Sequence, residues 1–223
     1  MKKAVLFDLD GTHLDTLEDL TDSPNFALRR LNYPIKTKSQ IRSFVGNGVA
    51  KLIQRALPPD VSRNDYELCL EIFKTHYQKN MFNKTKPYDG IIELLQNLKS
   101  QNILVAIISN KFDFAVKNLC KIYFKDLYEI ALGENEAKGI KKKPSPDLVL
   151  KVLEMYNLNK DKAVYVGDSE VDIQTAQNAQ IDCVSVLWGF KDKKFLLKNG
   201  AKNFANYPND ILNFLDDGPV KNF

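Results

Sequence analysis

The stretch Phe7-Asp8-Leu9-Asp10-Gly11-Thr12-His13-Leu14 decides the reading of this chain. It follows the apolar run Ala4-Val5-Leu6-Phe7, a short buried strand bounded by a Gly turn signal, with the strand itself placed at residues 3–8. Two carboxylates therefore emerge at the carboxyl end of a strand, just before the chain turns. With one residue between them, their side chains start on opposite faces, so a bend is needed before both serve one site. Gly11 supplies the backbone freedom for that bend. Acids crowded in this way are costly without a cation, which points to a bound metal.

Three further segments complete a constellation. Leu104-Val105-Ala106-Ile107-Ile108 ends in Ser109-Asn110-Lys111. Lys143-Pro144 opens an apparent helix, which places Pro144 in a first turn. Ala163-Val164-Tyr165-Val166 ends in Gly167-Asp168-Ser169-Glu170-Val171-Asp172. Each run ends in groups that phosphoryl transfer needs, and in an open parallel sheet such strand ends converge on one crevice. The Ser109 hydroxyl and the amide or backbone N–H of Asn110 are candidate donors to phosphoryl oxygens, and Lys143 offers positive charge. Asp172 lies four residues beyond Asp168, so the two share a face if the turn is helical.

These four motifs, in order, resemble the haloacid dehalogenase-like hydrolase superfamily and its phosphoglycolate phosphatase-like branch. The resemblance runs from about the second residue to about residue 212 and takes in Arg42-Ser43-Phe44-Val45-Gly46-Asn47-Gly48 and Leu187-Trp188-Gly189-Phe190. It implies an α/β fold, a doubly wound parallel sheet (a Rossmann-like core), with an inserted small all-helical cap domain. It also implies a Mg2+-dependent phosphatase acting on a small phosphorylated metabolite through an aspartyl phosphate. Asp8 is then the nucleophile and Asp10 the general acid and base. Asp8, Asp168, Asp172 and the carbonyl of Asp10 form the metal set, with Asp172 either a direct ligand or one step removed. Backbone N–H groups from Leu9 to Thr12 are expected to add to the phosphate cradle. Hydrolysis of nucleoside monophosphates, sugar phosphates or pyrophosphate, and a β-phosphoglucomutase-like reaction, are the alternatives this resemblance leaves. His13 departs from the family pattern, where an aliphatic residue is usual, and reads as a tolerated polar residue on a flap. Trp188 reads as packing.

The rest of the chain fits this frame. After the first strand, apolar positions recur at helical spacing through residues 16–82, as in Leu17, Leu20, Leu28, Leu31, Leu52, Ile53 and Leu57, punctuated by Pro24, Pro34 and Pro58-Pro59. Residues 83–90 read as a hinge. Helices at 91–100, after Phe112, at 146–156 and at 171–179 then alternate with strands at 103–108, 129–132, 163–167, 182–186 and, weakly, 202–204. The expected division is a core of residues 1–15 and 88–223 around a cap of 16–87. Within the cap, Arg42, Gly46, Asn47 and Gly48 are the candidate substrate loop, because glycines around Asn47 expose backbone N–H groups and Arg42 suits a substrate carboxylate. The tail from Asp216 is expected to fray.

Composition narrows the class. The 223 residues are 44% hydrophobic and 27% charged, with a net charge of +4. The lysines are scattered, which argues against a nucleic-acid partner, and no apolar run approaches a membrane span. Cys69, Cys120 and Cys183 read as reduced core residues of a cytoplasmic protein. The expected partner is a small phosphorylated metabolite, and the expected state a monomer or homodimer.

Overall fold

Strand β1 (Ala4–Phe7) is wholly excluded from solvent. That explains why it reads as an unbroken apolar run, since a strand covered on both faces has no wet side to mark with polar residues. In the computed structural model, which describes residues 1–134 and 139–216, this strand lies inside a six-stranded sheet. The order is β5-β4-β1-β6-β7-β8, with β4 (Leu104–Phe112), β5 (Ile130–Glu134), β6 (Ala163–Gly167), β7 (Asp182–Val186) and β8 (Asn203–Ala205). Every neighbouring pair runs parallel. The two-residue strands β2 (Leu14–Asp15) and β3 (Lys86–Pro87) mark where the chain leaves this region and returns. The fold is the doubly wound α/β arrangement expected, and the chain proceeds outward from β1 in both directions. A switch point of that kind opens a crevice at the carboxyl ends of the central strands.

Helices α5 (Ile91–Ser100), α6 (Asp113–Tyr123), α7 (Asp147–Met155), α8 (Glu170–Ala179) and α9 (Lys193–Lys198) connect the strands. On one face Leu148, Val149, Val152, Leu153, Ala176 and Ala179 pack with Leu6, Ala106, Ile108 and Tyr165. Each such side chain removed from water is worth about 1.5–3 kcal/mol for the larger aliphatics.

The chain separates into two compact units, Met1–Leu14 with the chain from Pro87 onward, and Asp15–Lys86. The second unit holds α1 (Leu17–Arg30), α2 (Lys38–Phe44), α3 (Val49–Ala56) and α4 (Arg63–Asn80). Its interior includes Leu28, Ile41, Ile53, Cys69, Phe73 and Tyr77, each fully buried. Thr37 and Gln40 form a capping box at α2, and the Ser62 hydroxyl accepts from the Asp65 N–H to start α4.

The structure corrects several local expectations. Pro24 does not punctuate the helical block; it lies buried inside α1. A proline there forfeits one ladder bond, and the buried face of α1, with Leu17, Leu20, Ala27 and Leu28, holds the helix together across it. Strand β4 does not stop at Ile108 but continues to Phe112 through a register shift against β5 between Ile108 and Phe112. Pro144 is not in a first turn, because α7 begins at Asp147 and its cap is Pro146. Helix α9 and the short helical turns at 160–162 and 208–214 had no counterpart in the periodicity. The tail expected to fray lies, past Asp216, outside the described residues.

Candidate active site

Asp8 directly follows β1, its N–H bonded to the Val166 carbonyl at 2.9 Å, so the first strand's neighbour fixes where this carboxylate starts. The chain then turns. Gly11 adopts φ +82° and its N–H reaches the Leu14 carbonyl at 2.9 Å, while the N–H groups of Thr12, His13 and Leu14 converge on the Leu9 carbonyl at 3.4, 3.0 and 3.0 Å. A Cβ at Gly11 would overlap the Asp168 carboxylate, so glycine is needed here for space as well as for conformation. The same bonds correct part of the cradle expectation. The N–H groups of Gly11 and Thr12 close the turn internally rather than facing a phosphate.

Lys143 organises the acids. It is 4% exposed, and its ammonium donates to Asp8 Oδ1 at 2.8 Å, to Asp172 Oδ1 at 2.7 Å and to the Tyr165 hydroxyl at 3.0 Å. Burial opposes its charge, but Asp172 and Asp8 outweigh that and hold its pKa above the usual lysine value. Asp172 is fully buried, and its second oxygen accepts from Ser169 N–H at 3.1 Å and Ser169 Oγ at 2.6 Å. Asp168 Oδ2 accepts from the Phe190 N–H at 2.6 Å. Asp8, Asp168 and Asp172 each offer an oxygen atom within 4.8 Å of the others, all three buried.

The electrostatics of this group call for a cation. Burial pushes Asp8 up to about 7; Lys143 works against the rise, while Asp172 and Asp10 add to it. Asp168 is driven well above the carboxylate range by burial, then by Asp172 and Asp8. With all three buried carboxylates ionised, one ammonium would leave net negative charge in a low-dielectric setting, which a cation relieves, and an all-oxygen donor set suits a hard divalent cation. The residues therefore fit a metal ion. The side chain of Asp10 does not join this trio; its Oδ2 is held at 2.8 Å by the ammonium of Lys111.

The remaining expected residues fall in different places. Ser109 is 2% exposed at the carboxyl end of β4, its hydroxyl accepting from the Lys111 N–H at 3.3 Å. The Asn110 amide is engaged on both sides by the backbone of Lys143, donating to its carbonyl at 2.9 Å and accepting from its N–H at 2.8 Å. The amide thus braces Lys143, spending one of its two hydrogens there, and both the amide and the backbone N–H of Asn110 stay candidate phosphate donors. Arg42, Gly46, Asn47 and Gly48 all belong to the helical unit. Gly46 and Gly48 adopt φ +121° and +84°, Gly48 caps α3, and Arg55 Nη1 donates to the Phe44 carbonyl at 2.8 Å just before the loop.

His13 is not a polar residue on a flap. It is fully buried, with Nδ1 at 2.9 Å from the Asp8 carbonyl and its ring edge-on to Phe7 and tilted against Phe124. Trp188 does more than pack, since its indole N–H donates to the Thr12 carbonyl at 2.9 Å. Lys111, Tyr165 and the Phe190 N–H were missed in the sequence. For Lys111 a signal existed: it stands two residues after Ser109, a same-face spacing on a strand. Nothing comparable marks the other two, because a tyrosine inside an apolar run and a backbone N–H carry no sequence signature.

A doubly wound sheet whose switch point gathers buried aspartates, a serine and a lysine offers the groups that phosphoryl transfer needs. The comparisons make this specific. A model of the haloacid dehalogenase-like hydrolases matches residues 5–186, and the chain belongs to that family. It is similar to phosphoglycolate phosphatase of Aquifex aeolicus, 31% identical over 220 residues that cover 98% of this chain and 99% of that protein. It is also similar to phosphoglycolate phosphatase of Colwellia psychrerythraea, 34% identical over 95% of this chain and 96% of that one. Among solved structures, a protein of Lactobacillus delbrueckii subsp. bulgaricus, provisionally assigned as a phosphoglycolate phosphatase, superposes with a TM-score of 0.91 at 34% identity, covering 98% of this chain and all of that one. The chain is an enzyme, a phosphoric monoester hydrolase.

Proposed function

We propose that this chain is a Mg2+-dependent phosphatase that hydrolyses a small phosphorylated metabolite of the phosphoglycolate type through an aspartyl-phosphate intermediate. The observation that carries the proposal is the Lys143 ammonium, 2.8 Å from Asp8 and 2.7 Å from Asp172, within a buried group of acids suited to a cation. That arrangement keeps a carboxylate at the end of β1 fixed and ready for in-line attack.

In the first step an Asp8 oxygen bonds to phosphorus as the bond to the leaving oxygen breaks. Asp10 gives its proton to that oxygen and becomes a carboxylate. In the second step Asp10 takes a proton from water as the water oxygen attacks phosphorus, and the bond to Asp8 breaks, releasing phosphate. Ser109, the Asn110 backbone N–H and Lys143 hold the phosphoryl oxygens. A bound Mg2+, held by Asp8, Asp168, Asp172 and the Asp10 carbonyl, would supply charge neutralisation at the phosphoryl group.

The names of the two relatives support a carboxylate-bearing substrate, for which Arg42 and the Gly46-Asn47-Gly48 loop are our selectivity residues. We assign residues 16–87 the role of a cap that excludes water during the reaction. The three unpaired cysteines favour a cytoplasmic setting.

The test is phosphate release from phosphoglycolate, sugar phosphates, nucleoside monophosphates and pyrophosphate, with Mg2+ and with chelator. Release that needs Mg2+ and favours phosphoglycolate is expected, and Asp8→Asn should lower it by about 10³-fold or more while the fold survives. A folded wild-type protein silent on the whole panel, or an Asp8→Asn variant with near-normal turnover, would overturn the reading.

A further inference from the structure

Lys111 is 3% exposed near the end of β4, two residues beyond Ser109 and within the stretch from Ile108 to Phe112 over which the register against β5 shifts. Its ammonium sits 2.8 Å from Asp10 Oδ2, with side-chain exposures of 2% for the lysine and 12% for the aspartate. An ammonium taken out of water costs several kcal/mol, and an apolar side chain of similar volume commonly serves stability as well or better. Lys143 already supplies the positive charge for Asp8 and Asp172. A second buried lysine, committed to the one acid of the site that lies apart from the metal-suited trio, calls for a reason specific to Asp10.

Hydrogen-bond chemistry provides one. An ammonium carries donors and no acceptor. Paired with Asp10, it holds Oδ2 as an acceptor whether the carboxyl is protonated or not. A protonated Asp10 must then carry its hydrogen on Oδ1. Resting on the phosphatase reading above, we infer that Lys111 is the positioning residue for Asp10, pinning Oδ2 so that proton donation to the leaving oxygen and proton uptake from water both occur at Oδ1. Esters of poor leaving groups depend on that proton, whereas an aryl leaving group departs as a stabilised phenoxide and needs it far less.

The experiment compares an alkyl ester the wild type turns over with para-nitrophenyl phosphate, both with Mg2+, in Lys111→Met, Lys111→Arg, Asp10→Asn and Lys111→Met/Asp10→Asn proteins. Lys111→Met should lower kcat on the alkyl ester by about 30-fold or more and on the aryl ester by about threefold or less, with KM nearly unchanged. Lys111→Arg, also a pure donor, should recover most of the loss. In the Asp10→Asn background the Lys111→Met change should add almost nothing, because a residue acting through Asp10 has nothing left to act on. Equal losses on the two esters, a loss carried by KM alone, or a full additional loss in the Asp10→Asn background would each overturn the inference. Thermal unfolding checks that the variants fold. If Lys111→Met does not, Lys111→Gln is read by the same ratio of alkyl to aryl rates, with the same outcomes deciding. A wild type inactive on every phosphate ester would instead remove the phosphatase reading. An active wild type whose Asp10→Asn variant discriminates between the esters while Lys111→Met does not would remove only the role of Lys111.

Discussion

His13 shows how a single residue obtains its properties from its surroundings. The Asp8 carbonyl at 2.9 Å can only accept, so Nδ1 carries the hydrogen and Nε2 is the bare nitrogen, buried beside Phe7 and Phe124 with no hydrogen-bond partner. Protonation would place an N–H there with nothing to receive it, and burial pulls the pKa down to about 4 despite the bond to Asp8. In the unfolded chain the ring titrates near its ordinary value, so between about pH 6.5 and 4 the unfolded state binds the extra proton and stability falls as the solution is acidified. The loss attributable to His13 is up to about 3 kcal/mol at the acid end of that window. A His13→Leu protein should lack this slope: urea midpoints from pH 7 to 4 should fall more steeply for wild type than for the variant. Parallel curves would show that His13 is charged or solvated in the folded chain. The sequence placed this residue close to Asp8 but could not show its burial, since one histidine among polar neighbours looks the same on a flap and in a core. Asp8, Asp10, Asp168 and Asp172 were legible because each follows a strand or opens a helix, where residue type and position together carry meaning, and Lys143 was legible only through the Lys-Pro pair on which the family resemblance rests.

At the scale of elements, strands were easier to place than their ends. The apolar run of β4 locates the strand, but the Ser-Asn-Lys that follows looks like a turn and proves to be more strand, displaced in register. A bulge depends on the partner strand, which one segment's sequence does not contain. Helix α1 offers a similar case. Its Asp19, 2% exposed, accepts the Thr85 N–H and hydroxyl, both at 2.8 Å, and the Lys84 N–H at 3.0 Å, binding the end of the helical unit to its first helix. Replacing it with alanine removes the acceptor of three donors, one of them the hydroxyl of the buried Thr85. The expected loss is about 3 kcal/mol, within the range for removing a charged acceptor from buried partners. Asp19→Asn should cost less, since its carbonyl oxygen still accepts. Chemical denaturation of both variants decides the matter, and a loss below about 1 kcal/mol for Asp19→Ala would show that water replaces the carboxylate freely.

For the whole molecule, two units were visible in the sequence as a switch from strand-helix alternation to unbroken helical periodicity and back, and the structure separates at Leu14 and Pro87. What periodicity could not show is the net charge that folding gathers at the sheet's switch point. Without a metal, the folded chain holds Asp8 and Asp168 with pKa values above those of an unfolded carboxylate, Asp8 at about 7. A group whose folded pKa is raised stabilises the fold below its unfolded pKa, and that contribution is lost as pH climbs toward the folded value. Through these two groups the metal-free protein should therefore lose stability as pH rises above about 4, with the Asp8 share lost by about pH 7, opposite in direction to the effect of His13. A cation substitutes for the protons: at pH 5 Asp8 is neutralised by a hydrogen ion and Mg2+ competes with it, whereas at pH 8 the ion meets a bare Asp8 carboxylate. At a Mg2+ concentration about 100-fold above its dissociation constant, binding adds about 2.7 kcal/mol, which for a chain of this size raises Tm by about 5–10 °C. That increment should appear at pH 8 and shrink to less than about half at pH 5, and Asp168→Asn should reduce it at both while raising the stability of the metal-free protein at pH 8. Thermal scans at the two pH values, with Mg2+ and with chelator, test it. An increment independent of pH would mean that the three buried acids do not hold the ion, and an Asp168→Asn protein with the full increment would exclude that carboxylate from the set.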